Sequence, residues 1–145
     1  MKKILIVEQD ADMIRYLNLV AARFGFNAVV AETPEAAAES LERDAFALAI
    51  VSKSPFGRDF GKRLARIVEK VGGDRVVVVC GEDFEEVARI SAARGARACL
   101  TTPFEVVFIP DILDELSAVD EGGNTVRKED AEAGEGDASP GKDDL

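Results

Sequence analysis

The stretch RVVVVC, from Arg75 to Cys80, is an unbroken apolar run with Gly72-Gly73 shortly before it and Gly81 directly after it. A strand with one solvated face alternates apolar and polar residues, whereas a strand covered on both faces of a parallel sheet is apolar throughout. Four further runs have the same character: ILIV (Ile4 to Val7), NAVVA (Asn27 to Ala31), FALAIV (Phe46 to Val51) and ACL (Ala98 to Leu100). The sequence therefore predicts five strands of a parallel sheet.

Helical patterns separate these strands. Asp10 is a candidate N-cap for the first helix, and Thr33-Pro34 gives the second helix an N-cap followed by a first-turn proline. Further helices are predicted from about residue 59 to 70, from about residue 83 to 94, and from Pro110 onward. The regular alternation of strands and helices, joined by right-handed crossovers, predicts an α/β fold, a three-layer (βα)5 sandwich.

The chain of 145 residues has the size of one domain, but its last segment differs in composition from the rest. From Asp120 to Leu145 it carries nine acidic and three basic residues, and its only branched apolar residues are Val126 and Leu145. Such a segment buries too little surface to offset the entropy of ordering. We therefore predict a domain over residues 1–119 and a disordered acidic tail over 120–145, which is a solvated appendage or a linker that binds a partner.

Composition excludes several classes of function. The formal charge is −10, which repels nucleic acid and anionic membrane surfaces. The chain has no His, which excludes Ser-His and Cys-His catalysis, and its two cysteines are too few for a four-ligand zinc site. No apolar run approaches the roughly 20 residues of a membrane span. The ILIV run is too short for a signal peptide, so we expect a cytoplasmic protein.

The residues that follow the strands are the candidates for function. In an open parallel sheet, the functional crevice lies outside the carboxyl ends of the strands. The segments found there are Glu8-Gln9-Asp10, Ser52-Lys53-Ser54-Pro55, Cys80-Gly81 and Thr101-Thr102-Pro103-Phe104.

On this frame the first 119 residues resemble the receiver domain of bacterial two-component response regulators. The resemblance rests on ILIVEQD, on RDAFALAIV before the third strand, on Pro55 shortly after it, on GARACL, and on TTPF where the family has Lys-Pro-Phe. It implies a five-stranded parallel sheet of order 2-1-3-4-5, the flavodoxin-like or CheY-like arrangement, and a place in phosphorelay signalling.

The resemblance also implies a site, and this chain departs from it. The family uses an acidic pair that holds magnesium, an acceptor carboxylate after the third strand, a Thr or Ser after the fourth, and a Lys after the fifth. The matching positions here are Glu8, Gln9, Ser52, Cys80 and Thr102. Val51 is an alternative match for the acceptor position, and it has no carboxylate either. We expect magnesium binding to be weak or lost, with Glu8 and Asp10 as the remaining candidate ligands, and no other cofactor.

Three functions follow as hypotheses. The first is a non-catalytic pseudo-receiver, a phosphorylation-independent interaction module of two-component signalling. The second is an atypical response regulator that is still phosphorylated or binds metal. The third is a flavin or small-molecule protein, but the loop EQDADM is anionic where a flavin phosphate would bind.

Several residues also have purely structural interpretations. Glu8 and Asp10 are candidates for a salt bridge with Lys53. Ser52 is interpreted as a small residue that fills space at the end of a strand. Asp59 is interpreted as the cap of the third helix rather than a displaced acceptor. The two cysteines, Cys80 and Cys99, fall on adjacent predicted strands. They are interpreted either as buried free thiols or as a pair that forms a disulfide on oxidation.

Partner binding is predicted on the face built from the fourth helix, the fifth strand and the fifth helix, because this face carries signals in the resembled family. The run VVFI (residues 106–109) predicts that Val107 or Phe108 stays exposed, unless Phe108 fills the core. Ile90 falls off the buried stripe of the fourth helix, near Arg89. The candidate contact residues for a signalling protein or a second copy are Ile90, Arg94, Arg97, Cys99 and Phe108.

Overall fold

A computed structural model describes residues 2–103 and 105–121. Five strands and five helices alternate, and a 3-10 turn, which we call the β5–α5 turn, spans Glu105–Phe108. Their bounds are β1 Lys3–Val7, α1 Ala11–Arg23, β2 Asn27–Ala31, α2 Pro34–Arg43, β3 Leu48–Ser52, α3 Phe60–Val71, β4 Val76–Cys80, α4 Phe84–Ala93, β5 Ala98–Thr101 and α5 Ile109–Glu121. The predicted elements are confirmed, with ends that move by one or two residues.

The strands form one parallel sheet of order β2-β1-β3-β4-β5. In register, Val7 of β1 lies between Ala31 of β2 and Val51 of β3. The predicted order 2-1-3-4-5 is therefore confirmed, and β1 and β3 end side by side at the centre of the sheet.

Helices cover both faces of this sheet, which is why its strands carry no polar alternation. On one face the side chains of Leu5, Val51 and Val78 pack in a single cluster with Leu64 and Ile67 of α3. The residues between them in the strands are also buried, and α1 contacts β1 and β2 and buries three apolar side chains: Leu17, Val20 and Ala21.

Two of the three predicted N-cap side chains cap their helices, and the third does not. The side chain of Asp10 accepts a hydrogen bond from the Met13 amide, and Thr33 accepts one from the Ala36 amide. Asp59 directly precedes α3, but its side chain makes no capping hydrogen bond. It ends a 3-10 turn with φ −88° and ψ 14°, far from the extended backbone that side-chain capping needs. Asp59 thus occupies the predicted N-cap position of the third helix, but its side chain does not cap that helix.

The turns at the amino ends of β4 and β5 meet at a close backbone contact. A Cβ atom placed on Gly73 would lie 2.1 Å from the carbonyl oxygen of Gly95. Real side chains do not tolerate such a distance, so the contact requires glycine at position 73. By contrast, a Cβ on Gly81, at the other end of β4, would meet only the Thr102 hydroxyl at 3.9 Å.

The chain divides into a compact unit that ends at Ile109 and a second unit that begins at Pro110. Most of α5 belongs to the second unit, and its backbone includes the first two residues of the predicted acidic tail. The remainder of that tail lies outside the described residues. Among the helices of the described part, none is both long enough and apolar enough to span a bilayer.

Candidate functional site

A cleft of about 620 Å³ lies at the carboxyl ends of the central strands. Four of the five predicted site positions line it, namely Glu8, Ser52, Cys80 and Thr102, together with the candidate metal ligand Asp10. Gln9 is absent from the lining because its side-chain amide donates to the carbonyl oxygen of Glu32. The described residues that line it are Glu8, Asp10, Asp12, Met13, Tyr16, Ser52, Lys53, Ser54, Val79, Cys80, Gly81, Asp83, Thr102, Pro103, Val106 and Val107.

Glu8 is a buried carboxylate, and both of its oxygens accept hydrogen bonds from groups of the chain itself. One of its oxygens accepts hydrogen bonds from the backbone amides of Gln9 at 2.9 Å and Asp10 at 3.0 Å. The other oxygen accepts a hydrogen bond from the hydroxyl of Ser52. Glu8 and Ser52 are each only 5% exposed. The end of β1 and the end of β3 are thus joined by a polar cluster that is satisfied from within the chain.

This donor set does not fit magnesium. Magnesium requires hard oxygen ligands that converge on one point, and both Glu8 oxygens already accept hydrogen bonds. One oxygen of Asp10 is engaged as the N-cap of α1. The position at the end of β3 supplies a hydroxyl that points at Glu8 instead of a second carboxylate.

Lys53 pairs with a different acid from the one expected. Its ammonium nitrogen lies 3.3 Å from a carboxylate oxygen of Asp83, in the loop after β4. The predicted salt bridge between Lys53 and Glu8 or Asp10 was therefore wrong. The Glu8 carboxylate already accepts three hydrogen bonds, and the Asp10 carboxylate accepts one from the first turn of α1. The exposed Asp83 is therefore the acid that pairs with Lys53.

The two cysteines face each other as free thiols. Their sulfur atoms lie 3.5 Å apart, although the residues are diagonal neighbours in the register, with Cys80 opposite Thr101. Burial, and then the contact with Cys99, raises the pKa of the Cys80 thiol from 9.0 to about 12. Burial also raises the pKa of Cys99. Both thiols are therefore protonated at neutral pH and are poor nucleophiles.

Thr102 occupies the position where the resemblance implies a lysine. Its side chain is exposed, and its hydroxyl lies 3.4 Å from the carbonyl oxygen of Cys80. Its backbone amide donates to the same carbonyl at 2.9 Å. A neutral side chain held against the backbone of β4 supplies no positive charge to an anion in the cleft.

The sequence analysis did not anticipate the apolar wall of the cleft. This wall includes Met13 and Tyr16 of α1 and Val106 and Val107 of the β5–α5 turn. The Tyr16 hydroxyl donates to the carbonyl oxygen of Val106 at 3.1 Å and so holds the two elements together. The available signal was that Tyr16 is the only tyrosine of the chain and lies one helical turn after Met13.

The predicted partner-binding residues differ in their exposure. Val107 is 61% exposed and Phe108 50%, so the expected exposure in this turn is confirmed and Phe108 does not fill the core. Ile90 is half-buried against the core cluster, and its Cγ2 atom would meet a Cβ on Gly61 of α3 at 3.5 Å. The exposed apolar cluster that was predicted to include Ile90 was therefore wrong, because that side chain packs between α4 and α3.

The remaining candidates have local contacts of their own. The Arg94 guanidinium lies over Gly61, beside Ile90. A guanidinium nitrogen of Arg97 donates to the carbonyl oxygen of Asp74 at 3.4 Å. The Cys99 side chain points at Cys80.

No protein-family profile matches the sequence, and no curated protein is similar to it. Solved structures do match it. A CheY-like receiver domain protein from Methanospirillum hungatei superposes with a TM-score of 0.70 at 21% identity, over 85% of this chain and 99% of that chain. A two-component response regulator from Clostridium difficile gives 0.69 at 16% identity, over 86% and 100%. A response regulator from Thermotoga maritima gives 0.68 at 18% identity, over 81% and 98%. At these identities the likeness establishes the fold, which is that of response regulator receiver domains.

Proposed function

We propose that this protein is a non-catalytic pseudo-receiver, an interaction module of two-component signalling that works without phosphorylation. One observation carries the proposal. At the acceptor position, the Ser52 hydroxyl is buried and donates to the Glu8 carboxylate, which also accepts from two backbone amides. The group that would receive a phosphoryl is thus a neutral side chain already engaged within the chain.

The charge of the cleft supports the same proposal. Four carboxylates line it, and they belong to Glu8, Asp10, Asp12 and Asp83. Among the lining residues that the structure describes, the cation is Lys53, which lies 3.3 Å from the carboxylate of Asp83. Phosphoryl transfer depends on positive charge at the phosphoryl oxygens, from metal ions and from basic side chains. This cleft instead repels a phosphate dianion.

The competing function is an atypical response regulator that is still phosphorylated. The contact between a hydroxyl and a carboxylate at Ser52 and Glu8 favours it, since a general base must lie next to its nucleophile. Against it stand the 5% exposure of Ser52 and the neutral Thr102 at the lysine position. We propose in addition that it is a cytoplasmic partner-binding domain without cofactor or enzymatic activity.

Amide spectra test the proposal. Addition of magnesium and beryllofluoride should leave the amide resonances of the isotope-labelled protein unchanged, while a receiver domain with a complete acidic site, recorded in parallel, shifts. In addition, incubation with acetyl phosphate and magnesium should add no phosphoryl mass to the chain. Shifts clustered around Glu8, Ser52 and Thr102, or a phosphoryl group on Ser52, would establish the competing function.

The exposed β5–α5 turn is the part of the predicted partner face that we assign to association. A double change Val107→Ser and Phe108→Ser should abolish binding of a signalling partner or of a second copy and leave the fold intact, because both side chains are at least half exposed. The matched control is Leu19→Ser on α1, which is 66% exposed. Sedimentation and partner capture with the three proteins check this. Equal behaviour of the double variant and the wild type removes the turn from the interface.

A further inference from the structure

The cleft at the carboxyl edge has the size and the surface of a small-molecule site. Its volume of about 620 Å³ lies in the range of about 300–1,000 Å³ that is usual for such sites. Apolar side chains form much of its lining, among them Met13, Tyr16, Val79, Val106 and Val107. The hydrogen bond from Tyr16 to the Val106 carbonyl ties α1 to the β5–α5 turn. An apolar body of a ligand would therefore meet a preformed surface.

Charge decides which kind of ligand this surface accepts. The lining residues that the structure describes carry four carboxylates and one ammonium group, and the ammonium of Lys53 already faces Asp83. Their net charge is thus negative, and phosphates, nucleotides and carboxylic acids are repelled from the cleft. A cation is attracted.

The arrangement of these carboxylates favours an organic cation over a metal ion. The oxygens of Glu8 are occupied by hydrogen bonds, Asp10 caps α1, and Asp12 is paired with Arg15 at 3.1 Å. Within residues 2–103 and 105–121, no three acidic or cysteine side chains converge as metal ligands. An organic ammonium group needs only a negative rim, whereas a metal ion needs converging ligand atoms.

We propose that the cleft binds a small amphipathic cation, an organic amine whose apolar body packs against Met13, Val79 and Val107 and whose ammonium group faces the carboxylates of the lining. The site does not depend on the pseudo-receiver function. A phosphorylated Ser52 would leave the apolar walls in place, and an amine-binding cleft is compatible with either role.

Three probes of similar size test the charge preference. They are 3-phenylpropylamine, 3-phenylpropanol and 3-phenylpropanoate, titrated into the full chain and followed by amide shifts. The amine should cause saturable shifts in residues 12–16, 79–81 and 105–107, and its affinity should exceed that of the alcohol by about tenfold at low salt. Added salt should reduce that difference. The carboxylate should not bind.

Variants locate the site. Val107→Lys introduces a positive charge at an exposed position of the cleft and should abolish amine binding, whereas Leu19→Lys, on the outer surface of α1, should have no effect. Asp12→Asn should weaken the amine about threefold and leave the alcohol unchanged. The control for charge alone is Glu86→Gln, an exposed acid of α4 outside the lining.

Several results would overturn the proposal. These are the absence of saturable shifts with the amine at millimolar concentration, equal affinity of amine and alcohol, preference for the carboxylate, or equal effects of Val107→Lys and Leu19→Lys. Thermal denaturation of each variant, measured first, confirms that the folded protein is being titrated.

Discussion

The Ser52 hydroxyl donates a hydrogen bond to the Glu8 carboxylate, and this contact joins the carboxyl ends of the two central strands. The two residues are separated by 44 positions in the sequence and are both buried. A hydroxyl at this position makes a buried carboxylate tolerable without a metal ion, since each oxygen of Glu8 has a donor. The neutral residue at the acceptor position thus serves the stability of the fold.

Replacing this hydroxyl by a carboxylate should destabilise the protein. Ser52→Asp places two negative groups against each other in a buried site, whereas Ser52→Asn keeps the size without the charge. We expect the free energy of unfolding of the Asp variant to lie about 1–3 kcal/mol below that of the Asn variant, measured by urea denaturation. Millimolar magnesium should recover part of the loss for the Asp variant alone. Equal stability of the two variants would contradict the role given to Ser52.

Gly73→Ala should be destabilising because the new methyl carbon would lie 2.1 Å from the Gly95 carbonyl oxygen. We expect a loss of about 1–3 kcal/mol as the two turns move apart. Gly81→Ala is the matched control, since its methyl group meets only the Thr102 hydroxyl at 3.9 Å. Thermal denaturation of both variants checks the expectation, which fails if their melting temperatures agree.

Ionisation of Cys80 should lower stability in alkaline solution. Its folded pKa of about 12 lies above the ordinary value of 9.0. The neutral thiol is therefore favoured by folding, and this contribution is fully present below about pH 9 and lost as the pH rises towards 12. The free energy of unfolding should fall more steeply with pH in the wild type than in Cys80→Ala. Parallel pH curves would refute the assignment.

Tyr16 should ionise above its ordinary value of 10.0, because burial raises the pKa of its phenol. As the only tyrosine, in a chain without tryptophan, it can be followed alone by ultraviolet absorbance. The titration midpoint in the folded protein should lie above that of the urea-unfolded chain. The contribution of the neutral phenol to the free energy of unfolding is therefore lost as the pH rises past 10.0. A coincident midpoint in the two states would mean that the Tyr16 hydroxyl is solvated.

Local sequence signals predicted the frame of the molecule well. The unbroken run at Val76–Cys80, the cap at Asp10 and the Thr33-Pro34 start each act within a few residues, and each appears where it was expected. Such features depend on sterics and on hydrogen bonds that the neighbouring sequence supplies.

The contacts of the site were less predictable because they join distant parts of the chain. Lys53 had several acids within reach of its flexible side chain, and the choice of Asp83 depended on the other acids being already satisfied. The hydrogen bond between Tyr16 and Val106 spans 90 residues. The position of Ile90 on its helix was visible in the sequence, but its packing beside Gly61 of α3 was not.

The contact between Gly73 and Gly95 constrains how this protein can diverge over evolutionary time. Every nucleotide substitution that changes the residue encoded by a glycine codon introduces a side chain, and at position 73 any side chain meets a backbone atom rather than another adaptable side chain. Position 73 is therefore closed to other residues, while the open space beside Gly81 leaves room for a side chain there. Descendants of this sequence should thus replace Gly81, which lines the cleft, long before they replace Gly73.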